Sequence, residues 1–155
     1  MCELVSSLPA ERAMQCLKIS FPGRSEGENR NVRVVGLLYA ARREPDNDFS
    51  LTVGGGESAE NRIYMLMDIS GLPQASSPTF ARLGAVRDAY KRFFGMKNVP
   101  ELGYDYYKPP IPITIEGSLF YNASHSSVRS GPPALLNHIP TNWRIHPITN
   151  IQLGS

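Results

Sequence analysis

Two segments with strand periodicity precede the longest segment with helical periodicity in this chain. Between Phe49 and Val53, and again between Ile63 and Met67, apolar residues recur at every second position, which is typical of a strand with one buried face. Residues 80–94 instead carry apolar residues at helical spacing, and Gly95 follows them as a glycine that ends a helix. The apolar stripe of this segment consists of Phe80, Leu83, Val86, Tyr90, Phe93 and Phe94.

Three further strands complete the predicted sheet. Residues 31–43 form the first, and Gly36 inside it predicts a bulge or a bend. The turn chemistry of Glu44–Asp48 joins this strand to the next as an antiparallel hairpin. The fourth strand is predicted over Ile113–Tyr121, and the last over Trp143–Ile151 with an interruption at His146-Pro147.

The order strand, strand, strand, helix, strand, strand is that of an OB-fold, so residues 31–153 are predicted to form a mainly β, OB-like five-stranded barrel. One helix lies between strands 3 and 4, with Ser77 as its N-cap and Pro78 as its first residue. Residues 1–30 are predicted to be an N-terminal extension with a short strand over 16–21. The predicted core consists of Val34, Leu51, Val53, Met65, Leu83, Val86, Phe93, Ile115 and Trp143.

Two stretches resemble a group of uncharacterised small bacterial OB-like domains. The first runs from the glycine-containing strand around Gly36 through the acidic turn to Leu51, and the second runs from Glu116 to the Trp143-Arg144-Ile145-His146-Pro147 strand. The resemblance covers roughly residues 31 to 153. The chain departs from the group's pattern at Ser50, where a histidine is expected, and at Arg144, where an acidic residue is expected. The resemblance implies the OB-like fold and no particular chemistry.

Composition bounds the function only loosely. The formal net charge is +2 over 155 residues, and charged residues are 19% of the chain, which is weakly basic for a dedicated nucleic-acid binder. No stretch approaches the roughly 20 apolar residues of a membrane span, and residues 1–5 lack the features of a signal peptide. A cytoplasmic protein is therefore expected, with Cys2 and Cys16 as reduced thiols because their spacing fits no metal site.

Single-stranded nucleic acid is one candidate ligand. OB-folds bind single strands through aromatic stacking and a basic groove. The residues that would serve this purpose, if the predicted strand registers hold, are Arg33, Arg42, Arg43 and Tyr64.

A polar site is the second candidate. Asp46 and Asp48 lie in the predicted turn, and His125 and His146 lie in and beside the connection of the last two strands. Carboxylates with histidine can bind a divalent ion or act as acid and base, although turns also recruit aspartate for backbone reasons alone. Because no ligand set has metal-site spacing, no metal is expected.

The sequence therefore favours a non-catalytic binding module with no cofactor and no catalytic residue, whose partner is single-stranded nucleic acid or a protein. Two alternatives remain open. One is a small metal-dependent hydrolase that uses Asp46, Asp48 and His146. The other is a self-associating structural protein, a homo-oligomer in which exposed strand edges pair.

Overall fold

The computed structural model describes residues 1–20, 23–55, 58, 61–96, 98–123 and 130–154. Its helices are α1 (Cys2–Ser6), α2 (Glu11–Ser20) and α3 (Phe80–Phe94). Its strands are β1 (Asn31–Arg43), β2 (Phe49–Gly55), β3 (Ile63–Ile69), β4 (Asp105–Tyr121) and β5 (Trp143–Leu153). Short 3-10 turns cover Glu26–Asn29 and Leu136–His138.

The five strands close into a ring in the order β1-β2-β3-β5-β4. All neighbours are antiparallel except β3 and β5, which run parallel. The prediction of a mainly β chain with one helix between β3 and β4 is thus confirmed. The irregularity in β1 falls between Leu38 and Ala40 rather than at Gly36. Gly36 has a different reason to be glycine, because a Cβ there would lie 2.7 Å from the carbonyl oxygen of Gly54.

Helix α3 packs its inner face against the ring. Leu83, Val86, Arg87 and Tyr90 are buried, and the helix ends at Gly95 with φ of 82°, as predicted. The expected N-terminus is wrong, because the helix begins at Phe80 with Thr79 at the N-cap position and Ser77 in the preceding turn.

The predicted core is confirmed except at Phe93, which is 45% exposed. The face that α3 turns toward the ring is formed by residues 83, 86, 87, 90 and 94. Phe93 lies at the margin of this face. It contacts the ring of Phe94 at 4.9 Å between centroids and lies against Gly154.

The N-terminal segment packs on the ring through helices. The short strand expected over 16–21 is wrong, because Glu11–Ser20 is helix α2. Most of its residues are good helix formers, and one helical turn brings Met14, which is 3% exposed, to the same face as Lys18. The indole N–H of Trp143 donates to the Pro9 carbonyl at 3.2 Å, which ties this segment to β5.

Strand β4 begins earlier than expected. Asp105 and Tyr106 pair with Ala41 and Ala40 of β1, so the tyrosine-rich stretch is the start of the strand. The two prolines in it mask that pattern, since proline weakens a strand prediction. Cys2 and Cys16 are both exposed and are not joined to each other. No helix in the described ranges is long and apolar enough to span a membrane.

Candidate functional site

A polar cavity of about 540 Å³ opens on the outer face of the ring. It lies between the turn that joins β1 to β2 and the chain that joins β4 to β5, and its floor comes from β3, β4 and β5. The lining residues are Arg42, Glu44, Pro45, Asp46, Asp48, Asp68, Phe120, Asn122, Ser130, Arg144 and His146. Seven of these side chains are charged or titratable, so the cavity is strongly polar.

Strand pairing places three of its residues side by side. The parallel register matches Leu66 with Arg144 and Met67 with Ile145, so Asp68 and His146 follow as neighbours. Because alternate side chains on a strand share a face, Arg144 and His146 both point outward while Ile145 enters the core, where it is 0% exposed.

The β1–β2 turn fixes the position of Asp48. The N–H of Glu44 donates to the carbonyl of Asp48 at 2.8 Å, and Asn47 has a φ of 70°, a value that asparagine tolerates better than most residues. Asp46 Oδ1 accepts the N–H of Asp48 at 3.1 Å. The N–H of Gly71, which follows β3, donates to Asp48 Oδ1 at 2.5 Å.

Buried Arg87 supports this turn from the helix side. Its guanidinium donates to the carbonyls of Asn47 at 2.9 Å and Ser70 at 3.1 Å. It also stacks on the ring of Phe49 with 4.1 Å between Cζ and the centroid. Helix α3 therefore holds the turn that carries Asp48 against the chain segment that follows Asp68.

His146 lies between two carboxylates. Its Nδ1 is 3.7 Å from Asp48 Oδ2 and 3.6 Å from Asp68 Oδ2, and Arg144 Nη1 is 3.3 Å from the same Asp68 oxygen. The side chain of Asp68 is only 7% exposed. Its Oδ1 atom has no hydrogen-bond partner among the residues that the structure describes.

The three titratable groups are shifted in different directions. Burial raises the pKa of Asp48, and the Gly71 N–H offsets only part of that rise. Burial also acts to raise the pKa of Asp68, but His146 and Arg144 outweigh it and the pKa is lowered. The interaction with Asp68, followed by the charge of Asp48, raises the pKa of His146 despite its burial. The shifts thus favour the charged forms of Asp68 and His146 and the neutral form of Asp48.

Arg42 is fully engaged within the cavity wall. Its Nε and Nη2 donate to the two carboxylate oxygens of Glu44, each at 2.8 Å. Its Cζ lies 4.9 Å from the centroid of the Tyr104 ring. A bidentate pair of this kind fixes both side chains, so Arg42 serves as a wall of the cavity rather than as an open cation.

The four residues expected to contact nucleic acid are not brought together. Arg33 is exposed near the other end of β1 from Arg42, roughly 30 Å away at strand spacing, and lies 3.7 Å from Glu116. Arg43 is exposed. Tyr64 is 7% exposed and packs edge-on against Tyr39, so its face is not open to a stacked base.

Part of the segment between β4 and β5 packs on the outer face of β3. Ile139, which is 1% exposed, packs with Tyr64 and Leu66. Beside this segment, a second cavity of about 610 Å³ is lined by aromatic and proline residues. Its lining residues are Tyr39, Tyr106, Tyr107, Lys108, Pro110, Pro133, Ala134 and Leu135.

Of the four residues in the predicted polar site, Asp46, Asp48 and His146 line one cavity, and His125 lies outside the described residues. Asp68, Arg144 and Phe120 also line the cavity and are not among the residues predicted for it. A signal for two of them was present: Asp68 is the charged residue on the outward phase of β3, and Arg144 shares a phase with His146. The pairing of β3 with β5 that joins them is not visible from local pattern.

Within the described ranges, no group of three or more His, Cys, Asp or Glu side chains is arranged to hold a metal ion. Comparisons with known protein families, with curated proteins and with solved structures find no match for this chain.

Proposed function

We propose that this chain is a non-catalytic binding module of OB type, related to the small bacterial OB-like domains that its sequence resembles, and that the polar cavity is its ligand site. The strand order, the parallel pairing of β3 with β5, and the double pairing of β1 with β2 and β4 support the OB assignment. Helix α3 between β3 and β4 agrees with it.

The position of the cavity supports a binding role. OB-folds bind their ligands with the loops that join strand 1 to strand 2 and strand 4 to strand 5. Here Glu44, Pro45 and Asp46 come from the first of these connections, and Asn122 and Ser130 come from the second. A volume of about 540 Å³ suits a small molecule, since ligand pockets commonly measure about 300–1,000 Å³.

One observation carries the proposal: seven charged or titratable side chains from β1, β3, β5 and the β1–β2 turn, among them the nearly buried carboxylate of Asp68, line one open cavity. Binding sites commonly gather convergent polar groups and residues with shifted pKa values in this way.

A fragment screen tests the proposal. Small polar molecules of positive, negative and zero charge are titrated into the isotope-labelled protein, and amide chemical shifts are followed by NMR. We expect the shifts caused by binders to cluster at the β1–β2 turn, at Asp68 and at His146.

Two tryptophan variants provide the control. Ser130→Trp fills the cavity and removes the binding, whereas Ala134→Trp, an exposed position in the same connection, leaves it unchanged. Binders whose affinity is the same in Ser130→Trp, or whose shifts map elsewhere, refute the proposed site.

The hydrolase alternative keeps one supporting observation. Carboxylates with oppositely shifted pKa values around one imidazole are the arrangement that acid–base catalysis uses, and Asp48 and Asp68 flank His146 in this way. The alternative predicts that Mn²⁺ or Zn²⁺ raises the melting temperature and that a chelator reverses the effect. A melting temperature that neither addition changes counts against it.

A further inference from the structure

We propose that the second cavity, which is lined by aromatic and proline residues around Tyr39, Tyr106 and Tyr107 (hereafter the aromatic cavity), is a separate binding site for a small aromatic carboxylate. Its volume of about 610 Å³ lies within the range of small-molecule pockets, about 300–1,000 Å³. It shares no lining residue with the polar cavity, so this inference does not depend on the proposed function.

The aromatic cavity is open and presents apolar surface to solvent. Tyr106 is 44% exposed, and Pro133 and Ala134 of the β4–β5 segment are exposed as well. Apolar and aromatic surface gathered in a concavity is typical of a ligand site. A ligand with an apolar body therefore gains free energy by removing this surface from water.

Two of the cavity's tyrosines are held in place by packed neighbours. The Tyr107 ring stacks on Phe94 with 5.1 Å between centroids, and its hydroxyl is 3.1 Å from the hydroxyl of Tyr90. Tyr39 packs edge-on against Tyr64 with 5.0 Å between centroids. Fixed walls lose little conformational freedom on binding, and rings prefer offset-stacked or edge-on contacts with other rings. The walls therefore favour a flat aromatic ligand over a flexible alkyl chain.

The charge of the aromatic cavity is positive. Lys108 is the one charged side chain among its described lining residues. It is exposed, and no carboxylate in the described part of the chain forms an ion pair with it. A second cation is close, because Arg62 Cζ lies 5.3 Å from the centroid of the Tyr39 ring. Positive charge attracts an anion, and a lysine ammonium donates charge-assisted hydrogen bonds to a carboxylate.

One lysine in the lining suits a ligand with one negative charge. A single-stranded nucleic acid needs several cations that follow its backbone. On β1, however, Arg33 lies 3.7 Å from Glu116, and Arg42 donates two hydrogen bonds to Glu44. A small carboxylate requires only Lys108 for its charge and the tyrosine rings for its body.

The test compares two molecules of the same shape. 2-Naphthoate carries a carboxylate, and 2-naphthamide is its neutral isostere. We expect 2-naphthoate to shift the NMR signals of Tyr39, Tyr106 and Leu135 on titration. We expect 2-naphthamide to shift the same signals with about fivefold weaker affinity, which is the size expected for an exposed ion pair. Decanoate, a proline-rich peptide and oligothymidylate are titrated under the same conditions.

Charge variants assign the preference to one side chain. Lys108→Gln should bring the two affinities to within about twofold of each other, because it removes the cation that distinguishes the probes. Arg82→Gln removes the same charge at an exposed position on α3, roughly 12 Å along the helix axis from Tyr90. It should leave the fivefold preference unchanged.

Two tryptophan variants assign the binding to the aromatic cavity. Ala134→Trp places an indole in this cavity and should abolish binding of both naphthalene probes, and its exposed position keeps the substitution out of the core. Ser130→Trp fills the polar cavity instead and should leave 2-naphthoate binding unchanged.

The outcomes separate this inference from the proposed function. Equal affinity of the two naphthalene probes, a preference that survives Lys108→Gln, or tighter binding of decanoate, peptide or oligothymidylate at the same residues overturns the aromatic-carboxylate site. Shifts that map to Asp68 and His146, or no binding of 2-naphthoate by the wild type, overturn it as well. The polar cavity is tested by its own fragment screen and does not fall with this inference.

Discussion

The imidazole of His146 is held by carboxylates from two separate parts of the chain, Asp48 in the β1–β2 turn and Asp68 in β3. Arg144 approaches Asp68 from the same strand as the histidine. Removing one member of such a partly buried group leaves another charge without its partner, which destabilises more than the intact group stabilises. Substitutions here should therefore keep size and hydrogen-bonding capacity.

The raised pKa of His146 predicts a pH-dependent contribution to stability. The proton is bound more tightly in the folded chain than in the unfolded chain, where the pKa is about 6.5. The contribution is therefore full below about pH 6.5 and is lost as the pH rises through the folded pKa. We expect the free energy of unfolding of the wild type, relative to His146→Gln, to fall over this range in urea titrations.

The comparison with His146→Gln isolates this group. His125 and His138 are common to both proteins, so their titration cancels in the difference. A difference that stays flat between about pH 6 and pH 9, or that rises with pH, contradicts the prediction.

Sequence reasoning reaches part of this cavity. The turn aspartates and His146 stand out because acidic turns and histidines beside proline are visible locally. Asp68 looks like an ordinary outward strand residue, and Arg144 looks like a surface charge. Their roles depend on the parallel pairing of β3 with β5, a contact between residues nearly 80 positions apart in the sequence that no local periodicity contains.

Helix α2 is anchored to the ring through one carboxylate. Glu11 Oε1 accepts hydrogen bonds from the Thr141 hydroxyl at 2.6 Å and from the Asn142 N–H at 2.8 Å. Its Oε2 accepts the Tyr121 hydroxyl at 2.7 Å, and burial together with Glu11 raises the pKa of that tyrosine to about 12. One side chain thus connects α2 with β4 and with the chain that enters β5.

Glu11→Ala should destabilise the protein by about 2 kcal/mol, because hydrogen bonds to a charged group contribute about 1.5–3 kcal/mol. The matched control is Glu3→Ala, an exposed position on α1 whose effect should stay within about 0.5 kcal/mol. Urea denaturation measures both. Equal stability of the two variants would show that α2 does not depend on Glu11.

The elements differ in how far the sequence predicts them. Strand β1 has the predicted bounds of 31–43 because its β-branched run lies between clear turn residues. Helix α2 was missed because a short apolar alternation in 16–21 imitates a strand. The first half of β4 was missed because Pro109 and Pro110 interrupt its pattern, although Ala40 and Ala41 of β1 pair with its first residues. In β4, pairing with β1 overrides the local signal, whereas in α2 the helix propensity of most residues outweighs the short alternation.

At the scale of the whole molecule, the basic residues are dispersed. Arg33 and Arg42 lie at opposite ends of β1, Arg42 is paired with Glu44, and the net charge is +2. The single-strand interpretation accordingly predicts micromolar or weaker affinity for labelled single-stranded DNA at low salt. Fluorescence anisotropy should show little binding once salt rises from about 50 to about 200 mM.

The double variant Arg42→Ala, Arg43→Ala gives this prediction a residue-level check. If the exposed end of β1 contacts phosphates, the variant lowers both the affinity and the salt dependence. Unchanged DNA binding by the double variant, or tight binding at high salt, contradicts the single-strand interpretation. If the wild type does not bind DNA even at low salt, the polar cavity is the better candidate for a ligand site.

Closure of the ring bears on self-association. Each of the five described strands has a neighbour on both sides, so little strand edge is left for a second copy, and the shortest pairing is the two residue pairs between β3 and β5. The self-association alternative would therefore need a side-chain surface rather than strand pairing, such as the exposed apolar residues Val35, Met96 and Leu102.

Ring closure also sets an order of events during translation. Strand β5 is hydrogen-bonded to both β3 and β4, so the nascent chain presents two open sheet edges until residues 143–153 have left the ribosome. Open edges are templates for pairing with other chains, and synthesis adds only about 5–20 residues per second. The open edges are therefore covered only when β5 pairs with β3 and β4. A nascent chain on a ribosome stalled before β5 should be in its most aggregation-prone state.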